Sequence, residues 1–290
     1  MEYYLENEYL KVKINSFGAE LKEIYCKENN IEYMWNSNPL HWGKSSPILF
    51  PNIGKFYNNK YIVNDNEYSL PKHGFARENE FVLYDKTDRI ISFVLNSSPK
   101  TIEVYPFQFS LIVSYELKDK ELIVSWNVIN NGSDTMYFAL GGHPAFNAPL
   151  KDEKRSDCYF YLEGKKEIYS TKVDVKTGYL MNEKILYKLD NGYLKISDDL
   201  FIDDALVIEN QQVNKISVCG SDKIPYITVE TDAPVVGLWS ISKTSPFVCI
   251  EPWYGICDCD FKQYFLDNRP YQNVLGAKET FSKSYKIIIH

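Results

Sequence analysis

The amino-acid sequence predicts a mainly β fold, a large antiparallel β-sandwich with few short helices. Hydrophobic and polar residues alternate in many short runs, the pattern of strands that bury one face. The chain holds 23 tyrosines and 16 phenylalanines, and aromatic residues favour strands. Few segments keep the helical period of about 3.6 residues beyond two turns. Residues 260–266 are the candidate for a short helix.

Two hairpins are predicted in the first half of the chain. In residues 10–14, apolar residues alternate with two lysines before a turn at 15–18. The segments LIVSYEL and ELIVSWNV, within 109–128, flank the charged turn 118–120 and predict two long antiparallel strands. The last third repeats the pattern in short runs at 215–218, 226–230, 235–241, 247–250 and 281–289. This succession predicts sheet-on-sheet packing.

We predict a single domain over residues 1–290, because all-β sandwiches of this size often form one unit. No linker rich in proline, glycine or serine, no low-complexity tract and no clear internal repeat divides the sequence. The polar segments 151–157 and 170–190 are predicted to be excursions from the sandwich.

Composition argues against several classes of function. The net charge is -7 and the lysines are dispersed, which leaves no basic stripe for nucleic acid. No apolar run reaches the ~18 residues of a membrane span, and the first residues lack a signal-peptide pattern, so we predict a cytoplasmic protein. The spacing of Cys249, Cys257 and Cys259 is not that of a zinc site, and no nucleotide-binding motif occurs. We therefore predict no metal and no cofactor.

Two of the four histidines lie in tight segments that contain glycine. His143 lies in ALGGHPAFN, where two glycines permit close backbone approach and Pro144 favours an extended backbone at His143. This context predicts an imidazole held at a strand end. His73 lies in LPKHGFAR, where Phe75 and Arg77 can present an aromatic face and a guanidinium to one cleft, a combination that suits a sugar. An ordinary turn is the alternative for each segment, and local sequence alone favours it.

Two acidic positions are candidates for chemistry. Glu251 ends an apolar run and precedes Pro-Trp-Tyr, so a carboxylate is delivered from a strand end into aromatic surroundings that should raise its pKa. Asp203 and Asp204 precede another apolar stretch, where a carboxylate can accept hydrogen bonds from two sugar hydroxyls. An exposed glutamate and a paired acidic loop are the alternatives.

Five motifs, in order along nearly the whole chain, carry a resemblance to a known family. They are WGKSSPILFPNIGKF, LPKHGFAR, GGHPAFN, DDALVIEN and CIEPWYG. Together they resemble the aldose 1-epimerase, or galactose mutarotase-like, family, in particular its LacX-like branch. The resemblance implies a galactose mutarotase-like β-sandwich with a sugar in a cleft on its concave face. It also implies an isomerase that interconverts the α and β anomers of a free aldose.

The resemblance implies roles for individual residues as well. Opening a cyclic hemiacetal requires a base for the anomeric hydroxyl proton and an acid for the ring oxygen. Glu251 matches the family's base and His143 matches its acid. His73 and Asp204 match positions that bind sugar hydroxyls, and we predict Arg77 as a further substrate contact.

Lys55 marks a departure from the family pattern, which usually has arginine after the glycine of the first motif. Lysine keeps the positive charge but loses the bidentate fork of a guanidinium, so the substrate contact predicted for Lys55 differs from that of the family. The acid and the base are unaffected by this change.

Three alternative functions remain open. A hexose-6-phosphate mutarotase would use the cations Arg77, Lys55 and Lys72 as phosphate partners. A carbohydrate-binding protein would keep the cleft without the chemistry. A glycoside hydrolase would need a second carboxylate beside Glu251. The candidates for that carboxylate are Asp203, Asp204 and Asp258.

Overall fold

The structure is a computed structural model that describes residues 1–260 and 265–290. Strands dominate the regular structure of these two ranges, with one short α-helix, α1 (Pro99–Val104), and four 3₁₀ turns. The helix begins where the hydroxyl of Ser98 accepts a hydrogen bond from the backbone N–H of Thr101 at 3.3 Å. A capping serine followed by proline starts helices efficiently. The helix lies outside the segment for which the sequence pattern predicts one.

The strands follow one another along the chain with short connections. The first thirteen are β1 (Glu2–Glu6), β2 (Leu10–Asn15), β3 (Glu20–Cys26), β4 (Ile31–Glu32), β5 (Ile48–Leu49), β6 (Lys60–Val63), β7 (Asn66–Ser69), β8 (Val82–Lys86), β9 (Ile90–Asn96), β10 (Phe109–Lys118), β11 (Glu121–Asn130), β12 (Met136–Phe138) and β13 (Leu140–Gly142). The others described are β14 (Ala145–Asn147), β15 (Tyr159–Leu162), β16 (Glu167–Val173), β17 (Leu180–Lys188), β18 (Tyr193–Lys195), β19 (Leu206–Ile208), β20 (Lys215–Cys219), β21 (Pro225–Thr231), β22 (Val235–Trp239), β23 (Phe247–Tyr254), β24 (Asn273–Leu275) and β25 (Thr280–Ile289). The 3₁₀ turns are Tyr57–Asn59, Ala76–Glu78, Arg155–Asp157 and Leu266–Asn268.

Two large antiparallel sheets form the sandwich. One has nine strands in the order β18-β15-β20-β21-β25-β11-β10-β9-β8, and the other runs β17-β16-β19-β22-β23-β13-β5 with β14 also paired to β23. A four-stranded sheet, β1-β2-β3-β4, and the two-stranded pairs β6-β7 and β12-β24 complete the described architecture. The predicted antiparallel β-sandwich is therefore confirmed.

The main core lies between the two large sheets. Along β10 and β11, inward residues are buried and alternate with half-buried ones, as expected of strands with one covered face. Trp126 of β11 contacts Tyr254 of β23 edge to face, with ring centroids 6.3 Å apart. The central strand β23 differs, because all eight of its residues are buried. Its second face must therefore be covered by something other than the nine-stranded sheet.

Most predicted strands occur where the pattern placed them. The hairpins β2–β3 and β10–β11 are confirmed, and the latter pairs Lys118 with Glu121 across its turn. The run 235–241 forms a strand only as far as Trp239, whereas the run 247–250 continues to Tyr254. No helix in the described ranges is long and apolar enough to cross a membrane.

The stretch 170–190 and the predicted helix at 260–266 differ in their outcomes. The stretch 170–190 is not an excursion: β16 and β17 form an antiparallel hairpin at one edge of the eight-stranded sheet. It is polar because β17 is an edge strand with mostly exposed or half-buried residues. Of the helix predicted at 260–266, residues 261–264 lie outside the described residues.

Candidate active site

Strand β23 carries Glu251 into a cavity because its side chains alternate between two buried environments. Val248, Ile250 and Tyr254 belong to the main core between the sheets. Cys249, Trp253 and Glu251 occupy the opposite face, which is turned away from the nine-stranded sheet. Glu251 pairs with Gly237 of β22 and is 1% exposed. The prediction that Glu251 ends a strand is therefore wrong, because the aromatic side chains over this face let the strand continue.

His143 follows directly after β13, as the sequence predicts for an imidazole at a strand end. Its backbone N–H donates to the carbonyl of Pro47 at 3.2 Å. The preceding glycines are required by close packing: a Cβ at Gly141 would lie 2.9 Å from the Pro252 carbonyl oxygen, and one at Gly142 would lie 3.1 Å from the Trp126 ring. These contacts fix the strand end and thereby the imidazole.

The acid and base predicted from the sequence are in direct contact. Nε2 of His143 lies 3.3 Å from Oε2 of Glu251. The same carboxylate oxygen accepts a hydrogen bond from the indole Nε1–H of Trp253 at 3.2 Å. His143 is 7% exposed, so neither member of the pair is freely solvated.

Burial shifts the two pKa values in opposite directions. It raises the pKa of Glu251 well above its usual range, as predicted for a carboxyl in apolar surroundings. Burial, assisted by the positive charges of Lys72 and Arg77, lowers the pKa of His143 to about 3. Both shifts favour a neutral pair, with one proton on the carboxyl and an uncharged imidazole.

Aromatic rings enclose the imidazole on two sides. The Trp42 ring lies 4.8 Å from that of His143 at an interplanar angle of 32°, and Trp239 meets it edge to face at 5.4 Å. The sequence prediction gave Trp42 no role, although this tryptophan opens the first of the five motifs. That motif is the only feature of the sequence that could have pointed to a role for Trp42 in the site.

His73 is held as a hydrogen-bond donor by the backbone of Gly54. The backbone N–H of His73 donates to the Gly54 carbonyl at 2.8 Å, and the ring Nδ1 of His73 accepts from the Gly54 N–H at 3.1 Å. Burial lowers the pKa of His73 well below its usual value, so the ring is neutral and its proton resides on Nε2. The residue has a φ of 67°, in the left-handed region, and its ring centroid is 6.0 Å from that of His143.

One cavity of about 290 Å³ brings together five of the six residues predicted for the site. The predicted residues that line it are Glu251, His143, His73, Asp204 and Arg77. Lys72 and the rings of Trp42, Trp239 and Trp253 also line it. The neighbouring Asp203 instead lies 3.8 Å from the ammonium of Lys172.

Lys55 and Phe75 do not line this cavity. The ammonium of Lys55 donates to the carbonyl of Thr177 at 3.0 Å, next to the cavity-lining Gly178. Phe75 packs against Phe50 in the main core, so the prediction that it presents an aromatic face to the cleft is wrong. Tryptophans supply that face instead.

Asp258 and Cys249 complete the surroundings of Glu251. Asp258 is committed to a buried ion pair with Arg269 at 2.8 Å and does not line the cavity. The thiol of Cys249 lies beside the acid–base pair: its Sγ, an imidazole nitrogen of His143 and a carboxylate oxygen of Glu251 all lie within 4.8 Å of one another. Within the described residues, this is the group that could hold a metal ion.

A comparison with known families identifies the family to which this fold belongs. The sequence profile of the aldose 1-epimerase family matches residues 1–260. The chain belongs to the aldose 1-epimerase family. Within this isomerase family, the protein LacX of Lactococcus lactis subsp. lactis is 29% identical over 100% of this chain and 99% of its own length. The predicted family resemblance is confirmed.

Solved structures of aldose 1-epimerase relatives agree with this assignment. A galactose mutarotase related enzyme from Lactobacillus acidophilus is 35% identical, with a TM-score of 0.93 over 100% of this chain and 97% of that one. A galactose mutarotase-like protein from Lactobacillus casei is 28% identical, with a TM-score of 0.91 over the full length of both chains. A galactose mutarotase-like protein from Clostridium acetobutylicum, at 16% identity and a TM-score of 0.77, shares the fold.

Proposed function

We propose that this chain is a mutarotase that interconverts the α and β anomers of a free aldose, with Glu251 as base and His143 as acid. The observation that carries the proposal is the 3.3 Å contact between Nε2 of His143 and Oε2 of Glu251 at a sugar-sized cavity. Proton transfer at two oxygens of one hemiacetal requires two such groups close together.

The reaction begins from the ion-pair form of the two residues, which is the minor form because burial favours the neutral pair. The Glu251 carboxylate takes the proton of the anomeric hydroxyl, and the His143 imidazolium gives its proton to the ring oxygen. The bond between the ring oxygen and the anomeric carbon breaks, and a carbonyl forms at that carbon. After rotation about the adjacent carbon–carbon bond, the hydroxyl attacks the other carbonyl face, His143 regains its proton and Glu251 returns its own.

Burial contributes to the ring-opening step. Opening converts the ion pair into a protonated carboxyl and a neutral imidazole, the form that desolvation favours. The Trp253 N–H stabilises the carboxylate in the other half of the cycle. Burial therefore stabilises the neutral pair, and the Trp253 hydrogen bond stabilises the ion pair. This balance suits a reaction that must run in both directions.

The remaining cavity residues are suited to hold the sugar. The Nε2–H of His73 is a fixed donor, and the carboxylate of Asp204 accepts from hydroxyls. The rings of Trp42, Trp239 and Trp253 offer surfaces for the apolar face of a pyranose. We assign Arg77 to the same task, and place Lys55 at the margin because its ammonium is engaged by Thr177.

Hydrolysis and simple binding fit the site less well. A retaining or inverting glycosidase places a second carboxyl across the scissile bond, whereas the group in contact with Glu251 is an imidazole. Of the three predicted second carboxylates, Asp258 is bound to Arg269, Asp203 lies near Lys172, and Asp204 lines the cavity, where we assign it to the sugar hydroxyls. A binding protein has no need of a buried pair that shares one proton.

A phosphorylated aldose is the second candidate substrate, favoured by the cations of the cavity. Lys72 and Arg77 both line it, and Nη2 of Arg77 donates to the Lys72 carbonyl at 2.9 Å. Nε of Arg77 is buried and has no hydrogen-bond partner among the described residues. The same Nε lies 3.8 Å from Oε1 of Glu78. The support for a phosphate is therefore that Lys72 and Arg77 both line the cavity, which Lys55 does not.

Polarimetry tests the proposed function. Freshly dissolved free and 6-phosphorylated aldoses are followed as they approach anomeric equilibrium, with wild type and with Glu251→Gln. We expect a rate above the spontaneous one for at least one sugar, lost in the variant. If the variant turns over that sugar at nearly the wild-type rate, Glu251 is not the base.

Two variants distinguish a phosphorylated substrate from a free aldose. Lys72→Gln should raise KM for a 6-phosphorylated aldose by about tenfold, the value of one charge-assisted hydrogen bond, and leave the free sugar nearly unaffected. Lys55→Gln is the matched control and should change neither KM. Equal effects of Lys72→Gln on both sugars would argue for the free aldose.

A further inference from the structure

We propose that Cys249, His143 and Glu251 form a binding site for a thiophilic divalent cation, Zn²⁺ above all, and that the bound cation inhibits the enzyme. The three side chains are buried, and their ligand atoms lie within 4.8 Å of one another. The acid–base mechanism makes no use of the Cys249 thiol. Its position beside the two reacting groups is the observation from which the proposal starts.

The distance between the histidine and glutamate ligand atoms suits tetrahedral zinc. Nitrogen and oxygen ligands about 2.0–2.1 Å from Zn²⁺ are separated by about 3.3 Å at a tetrahedral angle. The Nε2–Oε2 distance in the pair of His143 and Glu251 is 3.3 Å. Sulfur binds at about 2.3 Å and would stand about 3.5 Å from the other two ligands. A shift of Sγ by about 1 Å, within reach of a side-chain rotation, brings Cys249 to that position.

Charge and ligand type select the cation. A thiolate and a carboxylate together cancel the charge of Zn²⁺, and a neutral imidazole completes the set, so the buried site gains no net charge. Trp253 already holds Oε2 of Glu251 by a hydrogen bond, the kind of outer contact that orients metal ligands. Magnesium and calcium prefer oxygen ligands, and a thiol next to an imidazole offers them little.

The three protein ligands leave a fourth position open toward the cavity. His143 and Glu251 line that cavity, so a cation enters from it and keeps a water on that side. Lys72 and Arg77 line the same cavity and repel cations, so we expect binding to develop slowly. Once bound, Zn²⁺ occupies the lone pairs of both the acid and the base. This inhibitory consequence rests on the proposed function, whereas the binding does not.

Cobalt substitution and zinc titration test the binding, with the full chain freed of metal. Co²⁺ should give a thiolate-to-cobalt charge-transfer band that Zn²⁺ abolishes. Cys249→Ser should lose the band and bind Zn²⁺ at least about 100-fold more weakly, since even outer contacts of metal ligands are worth 10–100-fold. Cys219→Ser, at another fully buried thiol, is the matched control and should keep both. Thermal melting of both variants checks their folding, and Cys249→Ala replaces the serine variant if that one melts early.

The outcomes separate this proposal from the proposed function. An absent band in the wild type, or a band and zinc affinity retained in Cys249→Ser, overturns the site. A band lost in Cys249→Ser, together with no mutarotation of any sugar, leaves the site standing and removes the proposed function. For an active enzyme we expect Zn²⁺ to inhibit mutarotation, chelator to restore it, and Cys249→Ser to require about 100-fold more Zn²⁺ for the same inhibition.

Discussion

The indole Nε1–H of Trp253 donates a hydrogen bond to Oε2 of Glu251 at 3.2 Å, within a single strand. The two residues are next-but-one neighbours in β23, so the pleat of the strand places both on the face that lines the cavity. This hydrogen bond favours the ionised carboxylate and opposes the effect of burial on the pKa of Glu251. Trp253 therefore helps to keep the base available.

Replacing Trp253 by phenylalanine removes the donor and keeps an aromatic ring. A hydrogen bond to a charged group contributes about 1.5–3 kcal/mol, so we expect kcat to fall on the order of tenfold or more while KM changes less. Polarimetric kinetics measure both constants. Trp239→Phe serves as the comparison, because this ring meets that of His143 edge to face and gives Glu251 no hydrogen bond among the described residues. An equal fall in kcat for both variants would point to general loosening of the cavity.

Removing the acid or the base should affect the chemical step. Glu251→Gln and His143→Asn each leave one proton without a donor or acceptor, and we expect kcat to fall by ~10²–10⁴-fold. Sugar affinity, measured by calorimetry, should survive better than turnover. A large loss of affinity with kcat preserved would instead place these residues among the sugar contacts.

The hydroxyl-binding residues should show the opposite pattern. His73→Asn and Asp204→Asn remove contacts present in both the ground state and the transition state, so the effect should fall mainly on KM. Both positions have φ of 67°, which asparagine tolerates, so the backbone should be kept. A kcat loss as large as that of Glu251→Gln, with KM unchanged, would contradict this division of roles.

A carboxyl far from the cavity should make stability depend on pH. Burial raises the pKa of Glu32 to about 7 from an ordinary value of 4.5. A folded-state pKa above the unfolded one gives stability that is complete below the unfolded pKa and lost as pH rises through 4.5 to 7, by roughly 3 kcal/mol at most. The wild type should therefore be less resistant to urea at pH 8 than at pH 4.5.

Glutamine at this position should remove much of that pH dependence. Oε1 of Glu32 accepts from the N–H groups of Ile24 and Met34, both at 2.8 Å, and an amide oxygen can accept the same two bonds. Glu32→Gln should match or exceed the wild type in stability near pH 8. Parallel profiles of the two proteins across this pH range would exclude Glu32 as the source.

The buried ion pair of Asp258 and Arg269 should matter far more than a surface pair. Asp258→Asn leaves the guanidinium uncompensated with both side chains at most 2% exposed, and we expect a loss of about 3–5 kcal/mol in unfolding free energy. Asp199→Asn, which breaks an exposed pair with Lys243, is the control and should cost about 1 kcal/mol or less. Urea unfolding measures both, and similar losses would contradict the prediction.

Hairpins were the part of the fold that sequence could predict. In β10–β11 the strands are neighbours in the chain, the alternation marks the buried face, and the charged turn sets the register. The hairpin β16–β17 escaped prediction because an edge strand needs few apolar residues. The helix α1 escaped because its six residues make fewer than two turns, too short for a period to show.

Local sequence alone could not assemble the site. His143 and Glu251 meet because β13 and β23 are adjacent in a sheet, a long-range pairing that no local pattern encodes. The five motifs supplied that information through the family resemblance. The continuation of β23 beyond Ile250 was missed because a glutamate and a proline interrupt the apolar run, and the cover on the face of Glu251 comes from distant tryptophans.

The two-sided burial of β23 has a consequence for engineering. Val248 and Ile250 belong to the interior between the sheets while Glu251 faces the cavity, so repacking the interior will displace the carboxylate. A mutant library aimed at a broader sugar range is better directed at the loops that carry Gly178 and Ile241, which line the cavity outside that interior. Selection for a new substrate and selection for a stable fold would then act on different residues.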